Sequence, residues 1–124
     1  MGLDMYILME GDAIVDWRKS NKIHGWFVRR FPDLENDKPV DITQKDILAL
    51  ASDIAMCVSE IVETGDVGEV CKTLLPTTKG FFFGPTDYGE WYIEDLFASY
   101  SKVIQCAYKM TKHPDAKFSY IAWW

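Results

Sequence analysis

The segment of residues 42–65 constrains the fold most strongly, because it has the pattern of one long amphipathic helix with both ends marked. Thr43 can cap the first turn, Asp46 can bond back to it from three residues later, and Gly65 can end the helix. Between these ends, apolar residues recur at helical spacing: Ile47, Leu50, Ile54, Cys57, Val58 and Ile61. Such a helix must bury its apolar stripe against other elements, so the segment predicts a shared core.

The two ends of the chain predict a small sheet beneath the helices. Residues 3–9 are apolar and rich in strand formers, and residues 118–124 alternate with strand character, so the two segments can pair. Further helices are expected over residues 16–31, 67–75 and 87–112, and a loop or short edge strand over residues 33–41. We therefore expect an α+β fold: a single compact domain over residues 1–124, with three to four helices on an antiparallel sheet formed by the N- and C-terminal strands.

The helix over residues 87–112 combines a long apolar face with an acidic start. Its residues at core spacing are Ile93, Leu96, Phe97, Tyr100, Val103, Ile104 and Ala107. Asp87 and Glu90 have capping-box spacing, and Glu90 and Glu94 share a face near the helix start, where negative charge is favoured by roughly 0.3 to 1 kcal/mol. Paired carboxylates can also act as acid and base, but capping is the simpler interpretation.

Composition excludes several classes of protein. The formal charge of −6 argues against general nucleic-acid binding, which depends on phosphate neutralisation. No apolar run approaches the roughly 18 to 20 residues that cross a bilayer, and the first nine residues lack the basic start of a signal peptide. We therefore expect a cytoplasmic protein without membrane contact. Cys57, Cys71 and Cys106 lie in apolar helical patterns, which favours reduced, buried thiols.

The charges are unevenly distributed along the chain. Residues 17–31 hold five cationic residues and no acid, a local charge of +5, whereas residues 32–69 hold ten acids and two lysines, a local charge of −8. The basic segment could attract an anion, and the acidic segment could imitate a nucleic acid. Alternatively, the two segments neutralise each other across a surface.

Residues 17–27 interleave three aromatic side chains with cationic and hydrogen-bonding ones, a mixture typical of surfaces that hold planar or anionic groups. On the expected helix, Asn21 and His24 share a face, with Trp17 beside them. An amide and an imidazole next to an indole could read a nucleobase edge or hold the backbone of a loop. Taken alone, His24 is more simply interpreted as a core histidine bonded to a main-chain carbonyl.

The segment of residues 76–88 predicts a shaped loop. Three consecutive phenylalanines at residues 81–83 cannot all face one core from a strand, so at least one ring must point elsewhere. Gly80 and Gly84 bracket these rings and allow backbone angles that other residues avoid.

Catalytic and metal-binding motifs are not found in the sequence. His24 and His113 are the two histidines, and neither has a cysteine or carboxylate at the spacing of a metal site. Phosphate loops, dinucleotide fingerprints and nucleophile elbows have no counterpart in the sequence. We therefore expect no metal, no cofactor and no catalytic residue.

Four blocks of sequence resemble a family of small proteins encoded by bacteriophages and prophages. They are the start Met-Gly-Leu-Asp-Met-Tyr, the block Trp-Arg-Lys-x-Asn-x-Ile-His-x-Trp-Phe, the block Leu-Leu-Pro-Thr-x-x-Gly-Phe-Phe-Phe-Gly-x-x-x-Tyr-x-x-Trp-Tyr, and the aromatic C-terminus. The family's distinctive polar positions correspond to Asp4, Trp17, Arg18, Lys19, Asn21, His24, Thr77, Tyr88 and Asp95. The resemblance implies a phage context in a bacterial host cell, and it transfers no mechanism.

These observations favour a non-catalytic binding protein of phage type that sequesters a small anionic or nucleotide-like ligand to counter host defence. The expected ligand-binding residues are Trp17, Arg18, Lys19, Asn21, His24, Thr77, Thr78, Phe82 and Tyr88. The alternative is an acidic inhibitor that binds a host defence enzyme, a protein partner, through residues 33–69. A small enzyme with His24 as general base is less favoured, because no second catalytic partner is identifiable. The sequence also allows a homo-oligomer.

Overall fold

A computed structural model describes residues 2–80 and 82–124 of the chain, and these residues form four strands and four helices. The elements are β1 (Asp4–Met9), β2 (Asp12–Arg18), α1 (Asn21–Arg30), β3 (Val40–Ile42), α2 (Gln44–Thr64), α3 (Glu69–Leu74), α4 (Glu90–Lys112) and β4 (Phe118–Trp123). The strands form one antiparallel sheet in the order β2-β1-β4-β3. The α+β prediction is confirmed, including the pairing of the N- and C-terminal strands.

The helices cover one face of the sheet. Alternate strand residues point into this core and are buried: Met5, Ile7, Val15, Trp17, Phe118, Tyr120 and Ala122. The ring of Phe27 in α1 stacks on Tyr120 in β4 with centroids 3.8 Å apart, and α2 packs along α4. The opposite face of the sheet carries Asp4, Tyr6 and Arg18, which are half-buried or exposed. The fold is therefore two layers, with one side of the sheet left uncovered by helices.

The boundaries of α2 agree with the sequence prediction. The Thr43 hydroxyl accepts a hydrogen bond from the Asp46 backbone N–H at 3.3 Å, and the Asp46 carboxylate accepts one from the Thr43 N–H at 2.8 Å, so the capping box is complete. At the other end Gly65 has φ +83, the left-handed conformation that favours glycine. The predicted stripe faces the core, with Val58 half-buried at its margin.

The predicted helix over residues 16–31 was wrong in its first third, because residues 12–18 form β2. Glu10 and Gly11 have φ of +50 and +84 and make the tight turn that returns the chain alongside β1. In β2 Trp17 points into the core and Arg18 points out, so Trp17 does not share a helical face with Asn21. The helix α1 begins only at Asn21.

Two predictions about α4 were also wrong. The helix starts at Glu90 after the N-cap residue Gly89, and no side chain caps it, so Asp87 and Glu90 do not form a capping box. Three residues assigned to the core are instead exposed: Phe97 by 42%, Tyr100 by 38% and Ile104 by 43%. The apolar surface of α4 is therefore wider than the face that the core covers.

The predicted third helix is shorter than expected, with α3 limited to Glu69–Leu74.

Cys57, Cys71 and Cys106 are free and buried, which confirms the prediction for the thiols. Of the helices described, none has the length and apolar character needed to cross a membrane.

Candidate functional site

Most of the predicted site residues lie around one loop, the connection of residues 75–89 between α3 and α4. Asn21 and His24 approach this loop from α1, and Lys19 approaches it from the turn before α1. Thr77, Thr78, Phe82 and Tyr88 belong to the loop itself. Trp17 and Arg18 lie apart, on opposite faces of β2. The prediction of a shaped loop is confirmed, because its described residues form no helix or strand.

Asn21 is the main link between α1 and this loop. Its amide nitrogen donates to the carbonyl oxygens of Phe83 at 3.0 Å and Pro85 at 2.9 Å, and its amide oxygen accepts from the Thr78 backbone N–H at 3.1 Å. The side chain is 1% exposed. All three bonds go to main-chain groups, so Asn21 holds the loop backbone, one of the two roles that the sequence left open.

His24 is buried between the loop and the sheet. Its Nδ1 atom is hydrogen-bonded to the Tyr120 hydroxyl at 2.8 Å, and its ring lies 4.7 Å from the Trp124 ring and 5.7 Å from the Phe83 ring. Burial lowers the pKa of His24 to about 4, because the charged imidazolium would lose its hydration. The imidazole is therefore neutral at pH 7 and is enclosed by aromatic rings, an environment that suits a core histidine.

Lys22 is a buried cation whose position the sequence did not reveal. Its Nζ atom is 2.5 Å from the Asp95 carboxylate in α4, and the Ser20 hydroxyl donates to the same carboxylate oxygen at 2.5 Å. The ammonium also lies 4.4 Å from the centre of the Tyr92 ring. Burial lowers the pKa of Lys22, and the charge of Asp95 counteracts that effect. The pair fixes the start of α1 to α4 and removes one positive charge from the surface.

The other polar residues before α1 also contact neighbours within the chain. Trp17 donates its indole N–H to the Ser99 hydroxyl at 3.0 Å, and Arg18 pairs with Asp4 at 3.2 Å on the uncovered face of the sheet. Lys19, with φ +57, donates to the Phe82 carbonyl oxygen at 2.9 Å. The expected cationic surface of Arg18 and Lys19 is thus divided between two places.

Within the loop, Thr77 and Tyr88 close a smaller ring of contacts. The Thr77 N–H donates to the Tyr88 hydroxyl at 3.1 Å, and the Thr77 hydroxyl donates to the Thr86 carbonyl at 2.9 Å. Phe83 is buried, whereas Phe82, with φ +61, is 55% exposed, as expected for consecutive rings. Phe81, the remaining ring of the three, lies outside the described residues.

This polar network is saturated. Among residues 2–80 and 82–124, every buried side-chain nitrogen and oxygen atom has a hydrogen-bond partner. A buried ligand site would present donors or acceptors that are free to pair with the ligand. The contacts around Asn21 and His24 therefore favour loop positioning over ligand binding.

Two of the open clefts outside this network lie along α2, and both also border α3. One, of about 440 Å³, is lined by Trp26, Arg29, Arg30, Ala49, Asp53, Thr73 and Leu74. The other, of about 390 Å³, is lined by Met56, Ser59, Glu60, Glu63, Thr64 and Val70. In the first cleft Asp53 accepts the Trp26 indole N–H at 3.0 Å, and Asp46 pairs with Arg30 at 3.0 Å, whereas Arg29 donates to the Leu74 carbonyl oxygen at 3.1 Å.

The second cleft lies among exposed apolar residues on the outer side of α2. Leu48, Met56 and Val62 are 51%, 53% and 71% exposed and lie on the side of the helix opposite its core stripe. The surrounding segment of residues 46–71 contains six acids and no lysine or arginine. Sequence reasoning noted these acids but missed the apolar residues among them, because isolated apolar residues between two core positions carry no distinctive signal.

The described residues contain no group of three histidine, cysteine, aspartate or glutamate side chains that could hold a metal ion. Comparisons of the chain with protein-family models, with curated proteins and with solved structures found no match.

Proposed function

We propose that the protein is a non-catalytic binding protein whose partner is another protein, held on the outer face of α2. The observation that carries this proposal is the exposure of Leu48, Met56 and Val62 along one helix face. Apolar side chains grouped on a surface mark sites of protein association, because contact removes them from water. The adjoining cleft beside Met56 and Val70 offers a recess for a partner side chain.

The charge of this face selects a basic partner. Glu63, Asp66 and Glu69 are exposed near the apolar residues, and these acids outnumber the nearby exposed cations, Lys45 and Lys72. A positively charged surface would be attracted at long range and then seated by apolar contact. This proposal corresponds to the acidic inhibitor that the sequence offered as an alternative, with apolar contacts added to the charge attraction. The family resemblance favours a phage context, in which the partner is a host defence enzyme.

The carboxylates of α2 are not all available for a partner. Glu60 accepts hydrogen bonds from the backbone N–H groups of Gly68, Val70 and Cys71, and these bonds, the one from Val70 above all, lower its pKa. Glu60 therefore fixes α3 against α2 and shapes the cleft. The exposed acids Glu63, Asp66 and Glu69, rather than Glu60, would therefore attract the partner.

Capture of host proteins by immobilised variants tests the proposal. The double variant Met56→Lys, Val62→Lys adds two positive charges and removes both apolar contacts, so binding of the partner should weaken by about tenfold or more. Asp12→Lys makes the same change in net charge at an exposed position on the hairpin and should leave binding unchanged. Added salt should slow association with the unmodified protein. Equal capture by the double variant would refute the assignment of this face.

A small anionic or nucleotide-like ligand is the second candidate, and the cleft beside Arg29 favours it. Trp26, Arg29 and Arg30 bring an indole and two guanidinium groups to one opening. A nucleotide present at 100 times its dissociation constant should stabilise the fold by about 2.7 kcal/mol in a thermal-shift assay. Arg29→Gln should abolish that shift, and a screen of linear and cyclic nucleotides without any shift would refute this candidate.

A further inference from the structure

The exposed side of α4 carries a regular seam that the core does not use. Every third or fourth residue falls on it, with the alternating spacing of a heptad repeat: Glu94, Phe97, Ser101, Ile104, Tyr108 and Thr111. The core residues Leu96, Val103 and Met110 lie on the opposite side of the helix. Phe97, Ile104 and Tyr108 are 42%, 43% and 63% exposed along the seam. This spacing is the one that lets two helices pack along their whole length.

Charge is arranged asymmetrically along the same face. Its N-terminal end carries Glu90 and Glu94, and its C-terminal end carries Lys112, with Lys109 at the margin. A second α4 in antiparallel orientation would place the acidic end of each helix beside the basic end of the other. It would also oppose the two helix dipoles favourably. A parallel pair would instead bring like charges together.

We propose that α4 is a self-association surface, on which a second copy of this chain packs with its own α4 antiparallel. In this pairing Phe97 of one copy contacts Tyr108 of the other, and the small Ser101 faces Ile104, so large and small side chains alternate along the seam. Glu94 lies next to Lys112 of the second copy. The surface is separate from the α2 face assigned to a protein partner.

The exposed area sets the strength of the pair. The large apolar side chains of the seam, with Tyr100 at its edge, offer on the order of 300 Å² per copy. The area buried by both copies together is therefore smaller than the total of roughly 1,200 Å² that a stable specific interface buries. The dimer is therefore weak and depends on concentration.

Sedimentation velocity over a wide range of concentration tests this proposal. The apparent mass should rise from the 14.3 kDa of one chain toward twice that value. Ile104→Glu places charge in the centre of the seam and should raise the dimer dissociation constant by about tenfold or more, while the circular dichroism spectrum stays unchanged because Ile104 is exposed. A protein that remains monomeric at every concentration, or a dimer indifferent to Ile104→Glu, overturns the proposal.

Charge reversal tests the orientation. Glu94→Lys and Lys112→Glu should each weaken the homodimer, and an equimolar mixture of the two variants should form a heterodimer, because each then offers charges opposite to the other's. Asp12→Lys, a reversal of the same size outside α4, should leave association unchanged. Variants that fail to associate with each other as readily as the unmodified chain does overturn the antiparallel arrangement.

Discussion

Replacement of Asn21 by alanine measures whether the polar residues of α1 position the loop. The change removes the two bonds donated to the Phe83 and Pro85 carbonyls and the one accepted from the Thr78 N–H. The bond to Phe83 is buried, so that carbonyl loses its partner where water does not replace it readily. The loop would lose its main anchor to the helix.

The size of the effect follows from these three bonds. An unsatisfied buried carbonyl costs roughly 1 to 3 kcal/mol, and each partly buried bond contributes about 0.5 to 1.5 kcal/mol. We therefore expect Asn21→Ala to lower the free energy of unfolding by about 3 kcal/mol. For a chain of 124 residues this corresponds to a fall in Tm of about 12 °C.

Urea unfolding followed by circular dichroism gives the free energy directly, and hydrogen exchange at the Thr78 amide reports on the loop. Arg18→Ala is the matched control, because its exposed ion pair with Asp4 contributes about 1 kcal/mol or less. If Asn21→Ala changes the free energy of unfolding no more than Arg18→Ala does, Asn21 does not anchor the loop, and a ligand-binding role for it regains support.

Three further predictions test other parts of the structure. Because burial lowers the pKa of His24, the unfolded chain takes up a proton between pH 6.5 and about 4 that the folded chain does not. The free energy of unfolding should therefore fall by up to about 3 kcal/mol as the pH is lowered through this window. In urea titrations at several pH values, His24→Phe should reduce that fall, whereas the exposed control His113→Gln should not. Gly25→Ala should destabilise the fold by about 1 to 3 kcal/mol, against the usual helix preference for alanine, because the added methyl group would meet the Thr78 hydroxyl. In thermal unfolding, the double variant with Thr78→Ala should recover stability. A stabilising Gly25→Ala would contradict the close contact. Thr43→Ala should cost about 1 kcal/mol in the same assay and Thr43→Ser much less, unless the capping box contributes nothing.

Local signals explain the parts of the fold that could be predicted. The start and end of α2 depend on Thr43, Asp46 and Gly65, which act within one helical turn of themselves, so their effect can be read from neighbouring residues. The pairing of β1 with β4 is a long-range contact, but both strands are apolar segments at the chain ends with few alternative partners.

The error at β2 arose from overlapping periodicities. Val15 and Trp17 alternate with Asp16 and Arg18, the pattern of a strand with one buried face, and the preceding Gly11 permits a hairpin turn. The helical spacing that begins in α1 extends by chance into this segment and concealed the alternation. The turn at Gly11 is the local feature that distinguishes this hairpin from a helix.

The interpretation of residues 17–27 could not be settled from residue types, because polar side chains that bind a ligand and those that anchor a loop have the same chemistry. The distinction requires the partners, and these come from distant parts of the chain: Asp95 for Lys22, Phe83 for Asn21 and Tyr120 for His24. The exposed apolar residues of α4 were misassigned for a related reason. Their helical spacing shows that they share one side of α4, but it does not show which side the core covers.

Site-specific photo-cross-linking tests the central claim that the outer face of α2 binds a protein partner. A photoreactive amino acid at position 62, where Val62 is 71% exposed, should give a discrete cross-linked protein in a cell lysate, and its yield should diminish as salt is added. The same amino acid at position 12 should not give that product. Cross-linking of the same protein with equal yield from both positions, or none from position 62, would contradict the claim.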